Sequence, residues 1–320
     1  IIITNIIIIF FQFITVVDCM DFRIIIVSII VMILIGFLSK KINLLSSDDV
    51  ETLNKIVINI ALPCMIFQAL YTANTSSFAS FSILTLYILL CSLIMGIITY
   101  SILKIAGWQG RKIWTMVVCV VLGNTGFLGY PVTSGIYGAE GMIRAVFCDI
   151  SSSILFISLS IILMILFEGN LRKALRKIIL FPPLWAIILG LLFNIYSLPI
   201  TAIGETIVDY LSGATVPLIM ISLGLSLNID GLKNHLPEVS FASIMKLVAY
   251  PVLGLGVLSA LGITGLNHTI GLIEAAMPSA MLCLVLAVNH KLDIDLTSDC
   301  LFTSTLFALI TIPVFLMIIA

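Results

Sequence analysis

Apolar runs recur along this chain at roughly 22–39, 53–71, 79–103, 113–134, 143–167, 179–197, 203–227, 239–261, 268–288 and 298–319. Each has about the 17 to 25 residues that a helix needs to cross the hydrocarbon core of a bilayer. The pattern predicts an all-α polytopic membrane protein of about ten transmembrane helices. A further apolar stretch at 1–19 has neither a starting Met nor a basic leading segment, so it makes a poor signal peptide. Either Met20 is the true start, or this stretch is an extra N-terminal span.

One run departs from the others. In VVCVVLGNTGFLGYPVTS (Val117 to Ser134), the residues Gly123, Asn124, Thr125, Gly126, Gly129 and Pro131 interrupt an apolar helix at its middle. Glycine loosens a helix, and proline removes a backbone donor and clashes with the preceding turn, so a break is expected here. In hydrocarbon, a break survives only where protein or a water-filled cavity satisfies the freed peptide groups. A polar ligand near the bilayer midplane is the expected occupant, as in carriers with discontinuous helices.

Basic residues set the orientation. Lys40 and Lys41; Lys104, Arg111 and Lys112; Arg172, Lys173, Arg176 and Lys177; and Lys233 and Lys291 fall in alternate connections, which should face the cytoplasm. The connections near Thr72 to Ser77, Leu198 to Ile203 and Gly262 to Asn267 hold no Lys or Arg, and Arg144 is the exception on that side. Both ends of the ten-span core are therefore expected outside a plasma membrane. The most basic connection, 169–178, separates a first five-helix repeat (20–168) from a second (179–320). An odd number of spans per half inverts the second relative to the first. Punctuation echoes between the halves: Pro63 and Pro217 fall in the second span of each, and Pro131 and Pro278 in the fourth. Asn124 and Pro278 both lie about halfway along their spans. If the two broken helices cross, their second halves present N-termini that favour an anion, and the opposite ends present carbonyls that suit a cation.

Composition agrees with this reading. The chain is 61% hydrophobic and 10% charged, with a mean hydropathy of +1.27, far from soluble globular composition. A net charge of -1 gives no pull toward nucleic acid. The seven cysteines lie in apolar runs without CxxC spacing and read as small buried hydrophobes; with three histidines that also lack ligand spacing, no metal site and no cofactor is expected.

GNTGFLGYP with the following IYG of Ile136 to Gly138, LNKIVINIALPCMIFQAL (Leu53 to Leu70), ATVPLIMISLGLSL (Ala214 to Leu227), KLVAYP (Lys246 to Pro251) and AAMPSA (Ala275 to Ala280) appear in this order. From Met20 to the C-terminus the chain resembles the auxin efflux carrier family, which includes bacterial malonate-type permeases and, more distantly, the plant PIN exporters. The resemblance implies a ten-helix inverted-repeat fold similar to bile acid sodium symporters, with a scaffold domain and a mobile transport domain that holds two crossed helices. It further implies substrate at the crossover, with Asn124 and Pro131 on one broken helix and Pro278, flanked by Met277 and Ser279, on the other. The short central loop resembles the bacterial branch, so auxin itself is not the expected substrate.

Each candidate residue also has a structural reading. Asn124 and Thr125 can hydrogen-bond a carboxylate, or Asn124 can simply cap the break. Gly123, Gly126 and Gly129 are expected to permit the crossing. Lys246, within the eighth span, is either a fixed charge for organic anions or a lysine snorkelling to the interface. Asp149 and Glu274 could each bind a coupling ion, H+ or Na+, or be carboxylates wetted at a vestibule. Asn59, one turn before Pro63, is placed facing the cavity. Tyr130 lines the pathway or packs. The expected function is secondary transport of a small organic anion such as malonate or malate, by alternating access, in a chain whose partners are that anion, the bilayer and a second copy in a homodimer. A channel or membrane sensor is the alternative. An intramembrane enzyme is disfavoured by the lack of GxSxG, HExxH or a facing pair of aspartates.

Overall fold

The computed structural model describes residues 20–73, 78–167, 182–226 and 235–319; the apolar stretch 1–19 and the basic connection 169–178 lie outside these residues. Among the described residues every named element is helical. In chain order they are α1 (Met20–Lys41), α2 (Ser47–Ile56), α3 (Leu62–Tyr71), α4 (Phe78–Ile105), α5 (Gly110–Val121), α6 (Tyr130–Phe167), α7 (Pro182–Ile195), α8 (Ala202–Ser226), α9 (Leu236–Ile244), α10 (Tyr250–Ala260), α11 (Gly265–Ala275), α12 (Leu282–His290) and α13 (Ile294–Ile319). Five continuous helical runs are long and apolar enough to cross a membrane: Asp49–Tyr71, Ser80–Ile105, Thr125–Phe167, Ala202–Ser226 and Leu236–Ala260. A helical fold is what hydrocarbon demands, because each peptide group must find its partner inside the segment.

Three π-helical turns punctuate these runs: Val57–Ala61 between α2 and α3, Thr125–Gly129 before α6, and Met245–Ala249 between α9 and α10. Each ends two residues before a proline, namely Pro63, Pro131 and Pro251. The cause is local. A proline ring presses on the carbonyl four residues back, and widening the preceding turn relieves the clash while the helix continues. Pro217 differs, because it sits inside an uninterrupted α8. Thr125–Phe167 has 43 residues, a length of about 65 Å at 1.5 Å per residue, or about twice the hydrocarbon thickness. It is not one straight rod: Gly138, at φ 59° and ψ -147°, turns the chain between the predicted fourth and fifth runs.

Packing gathers the helices into two groups. In the first, α1 lies along α8 and α3 along α7, with α8 also against α2 and α3. Glycine makes these contacts close: a Cβ on Gly36 would strike the Ile221 carbonyl, and one on Gly224 the Ile33 carbonyl. Gly190 of α7 likewise faces Leu70 and Phe67 of α3. Polar bonds add register: Asn194 Nδ2 lies 2.7 Å from each of the Leu70, Tyr71 and Ala73 carbonyls, Ser222 donates to Asn54 Oδ1 at 2.7 Å, and Gln68 donates to Asp209. The second group joins α4, α5, α6 and α9 to α13, with α4 packed on α5, α6 and α10, and α13 on α9 and α12. Its core holds the fully buried Tyr87, Tyr130 and Tyr250, and the Tyr250 hydroxyl bonds Ser92 Oγ at 2.6 Å.

Candidate substrate site at a peptide crossing

Both predicted breaks exist, and they touch. α5 stops at Val121, Leu122 turns extended (φ -85°, ψ 112°), and the chain re-enters a helix at Thr125. α11 stops at Ala275 and α12 starts at Leu282. Between these ends Gly123 and Ser279 pair as a short antiparallel bridge. The Asn124 N–H donates to the Pro278 carbonyl at 2.8 Å, and the Ala280 N–H donates to the Leu122 carbonyl at 3.0 Å. The peptide groups that each break frees are thus satisfied by the other, which is how a break is tolerated away from water. Ser279 adds a side-chain bond, its hydroxyl donating to the Cys119 carbonyl at 2.7 Å, while its N–H donates to Ser304 Oγ at 3.2 Å. Pro278 lies in the break and supplies an acceptor. Pro131 follows the break, inside α6, and Met277 is packed with no exposure.

Beside this crossing lie a buried amide without an acceptor and a buried cation without an ion pair. Asn124 is 2% exposed, and its Nδ2 finds no acceptor among the described residues. Lys246 is 1% exposed. It rides on the π turn Met245–Ala249, and a Cβ on Gly123 would lie 3.0 Å from its Nζ. That ammonium sits 3.8 Å from the Tyr250 ring centroid, a cation–π contact that offsets part of its desolvation. No ion pair to Lys246 is found among the described residues. Snorkelling is therefore overturned: the side chain runs inward to the crossing, where no interface can hydrate it.

A second cluster flanks the π turn Thr125–Gly129. The Thr125 hydroxyl donates to Asp149 Oδ1 at 2.5 Å and lies 2.9 Å from Ser152 Oγ. The Tyr130 hydroxyl donates to Asp149 Oδ2 at 2.9 Å, so Tyr130 does more than pack. Glu274 is 1% exposed with both carboxyl oxygens unpartnered. The glycines of the turn earn their place here: a Cβ on Gly126 would come 3.3 Å from Asp149 Oδ1, and one on Gly129 would overlap the Glu274 carboxyl. The expected role of these two glycines is thereby corrected. They clear space for carboxyl groups, and only Gly123 lies in the crossing itself. A cleft of about 30 Å³ reaches the crossing, lined in part by Asn124, Gly126, Asp149, Ser152, Ser153 and Met281. That is room for about two waters.

The structure brings Gly123, Asn124, Thr125, Gly126, Gly129, Asp149, Lys246, Glu274, Pro278 and Ser279 to this region. Asn59 is elsewhere: it is exposed, and its Nδ2 donates to the Lys55 carbonyl at 2.7 Å. The widened turn ahead of Pro63 carries it away from the cleft, which Ile58 and Leu62 line instead. Pro63 and Pro217 belong to the other helix group, with Pro217 exposed on α8. Met281 emerges as a cleft residue, beside Ser152 and Ser153.

Sequences described as membrane transport proteins form a family that matches residues 23–316. The chain belongs to the auxin efflux carrier family. An uncharacterized transporter of Methanothermobacter thermautotrophicus is 40% identical to this carrier over 288 residues, 90% of this chain and 95% of the relative. One from Methanocaldococcus jannaschii is 36% identical over 294 residues, 90% and 96% of the two chains. The uncharacterized transporter YfdV of Escherichia coli is 24% identical over 299 residues, 90% and 94%. The carrier is thus a membrane protein whose family and relatives are described as transporters.

Proposed function

We propose that this carrier moves a small organic anion, a mono- or dicarboxylate such as malonate or malate, across the plasma membrane by alternating access coupled to an ion, H+ or Na+. The observation that carries this reading is the crossing itself: a buried amide donor on Asn124 without an acceptor and a buried ammonium on Lys246 without an ion pair lie beside the Gly123–Ser279 bridge. A buried donor without an acceptor and a buried cation without a counter-charge are both costly, and a carboxylate brought to the crossing would offset both, with the charge-assisted bond to Lys246 the stronger. The packing supports two inverted five-helix repeats. α1, from the first half, pairs with α8 of the second, and α3 with α7, which is the exchange that two inverted halves generate. In this reading that glycine-packed group is the static scaffold, and the group holding the crossing moves against it. The ends of the ten-span core face outward, and the transporter works as a homodimer.

Thermal-shift screening of the purified carrier against mono- and dicarboxylates tests the reading, because a ligand of the folded state raises the melting temperature by mass action. A shift with malonate or malate that disappears in Asn124→Ala and Lys246→Ala is the expected result. Shifts equal in all three proteins would remove the crossing as the site.

A further inference from the structure

We propose that Glu274 holds a proton at neutral pH and that Glu274 and Asp149 together form the proton site of the carrier, H+ and not Na+ being the coupled ion. The coupling half of this statement rests on the transport reading above; the protonation half does not.

The two carboxyl groups flank one π turn and are supported unequally. Asp149 accepts hydrogen bonds from Thr125 and Tyr130 and borders the cleft, so its negative charge has donors to hold it. Glu274, on the last turn of α11, has no donor for either oxygen and is 1% exposed. An ionised carboxylate left bare in an apolar interior is among the costliest groups a protein can bury, whereas a neutral carboxylic acid is tolerated. Two carboxyl groups in unlike surroundings divide into a charged member and a protonated one.

Neighbouring charge does not rescue an ionised Glu274. The titratable groups beside it on α6 are Tyr130, Cys148 and Asp149, none of them a cation. α4 contributes Tyr87, which meets Gly271 one turn before Glu274, and the cation on α6, Arg144, is engaged by Glu140 and Asn267. Lys246, on the adjoining π turn, points to Gly123, whereas Glu274 lies against Gly129 at the far end of the re-entering segment. A metal ion fits poorly as well. Hard cations gather many oxygens around them, yet the Glu274 carboxyl is pressed so closely on Gly129 that a Cβ there would overlap it. A ligand is nonetheless provided for, since the unpartnered Asn124 amide, 2% exposed, lines the same cleft as Asp149. The step is simple: hydronium in the cleft gives its proton to the pair, a carboxylate becomes a carboxylic acid, and water remains. The reverse returns the proton on the other side.

Infrared spectroscopy of the purified carrier reads this without any substrate. The carbonyl stretch of a protonated carboxyl group is expected at neutral pH in the wild type, lost in Glu274→Gln, shifted in Asp149→Asn and indifferent to sodium chloride against potassium chloride. Glutamine copies the neutral acid in shape, so Glu274→Gln is expected to fold, and Asp149→Asn provides a second reading. An absent band, a band that survives Glu274→Gln, or a sodium-specific thermal shift abolished by Glu274→Gln would overturn the proposal. In proteoliposomes loaded with a pH dye, malonate flux is expected to move protons in the wild type, and Glu274→Gln to lower the protons moved per malonate at least tenfold. Equal proton movement in both would overturn the coupling. Absence of malonate flux in every protein, with the infrared band intact, would instead count against the transport reading.

Discussion

Two places in this carrier bring backbone to within touching distance of backbone, and they do it by opposite means. Where α1 meets α8, both helices run unbroken, their peptide groups are satisfied internally, and Gly36 and Gly224 only remove side chains from the contact. Where α5 meets α11 and α12, the helices stop, and the freed peptide groups bond across the gap from Asn124 to Pro278 and from Ala280 to Leu122. Continuous helices need only matching shape to approach closely in an apolar medium. Broken ones expose polar groups, and the buried Asn124, Lys246 and Glu274 side chains collect around the break.

The contrast is best broken at the glycine contact. Gly224→Val would drive two methyl groups into the Ile33 backbone, and overpacking against groups that cannot turn aside costs about 3 kcal/mol or more. Loss of the monodisperse peak in detergent gel filtration is the expected outcome, and a normally folded variant would refute the close packing. At the crossing, Lys246→Ala should leave the fold intact yet weaken carboxylate binding by about 10- to 100-fold, the worth of a charged hydrogen bond, as read by titration calorimetry. Ser279→Ala removes one bond to the Cys119 carbonyl and should lower stability by about 0.5–1.5 kcal/mol, measured as a drop in melting temperature. The smallest effect belongs to Asn59→Ala. This residue is exposed and bonded only within its own helix, so stability should stay within about 0.5 kcal/mol of wild type with binding unchanged; a loss of binding would return it to the site.

The breaks were legible in the sequence because glycine and proline act locally, and Gly123 and Pro278 mark them without tertiary information. Mid-span depth then suggested that Asn124 and Pro278 meet. What stayed hidden depends on rotation about a helix axis. Lys246 lies close enough to the helix end to snorkel by count, and only the π turn that Pro251 induces shows it turned inward against Tyr250. The same kind of turn carried Asn59 out of the cleft, although its spacing from Pro63 placed it facing in. Gly36 and Gly224 attract no notice among the many glycines of apolar helices, because their role exists only when the partner backbone arrives. Gly126 and Gly129 read locally as helix breakers, and nothing local shows that Asp149 and Glu274 fill the space they leave.

The bridge between Gly123 and Ser279 is fastened main chain to main chain. Exchanging a side chain on the cleft wall therefore leaves the fastening in place. Evolution can retune which cargo is taken up, one substitution at a time, while the mechanical joint that carries the cargo is inherited unchanged.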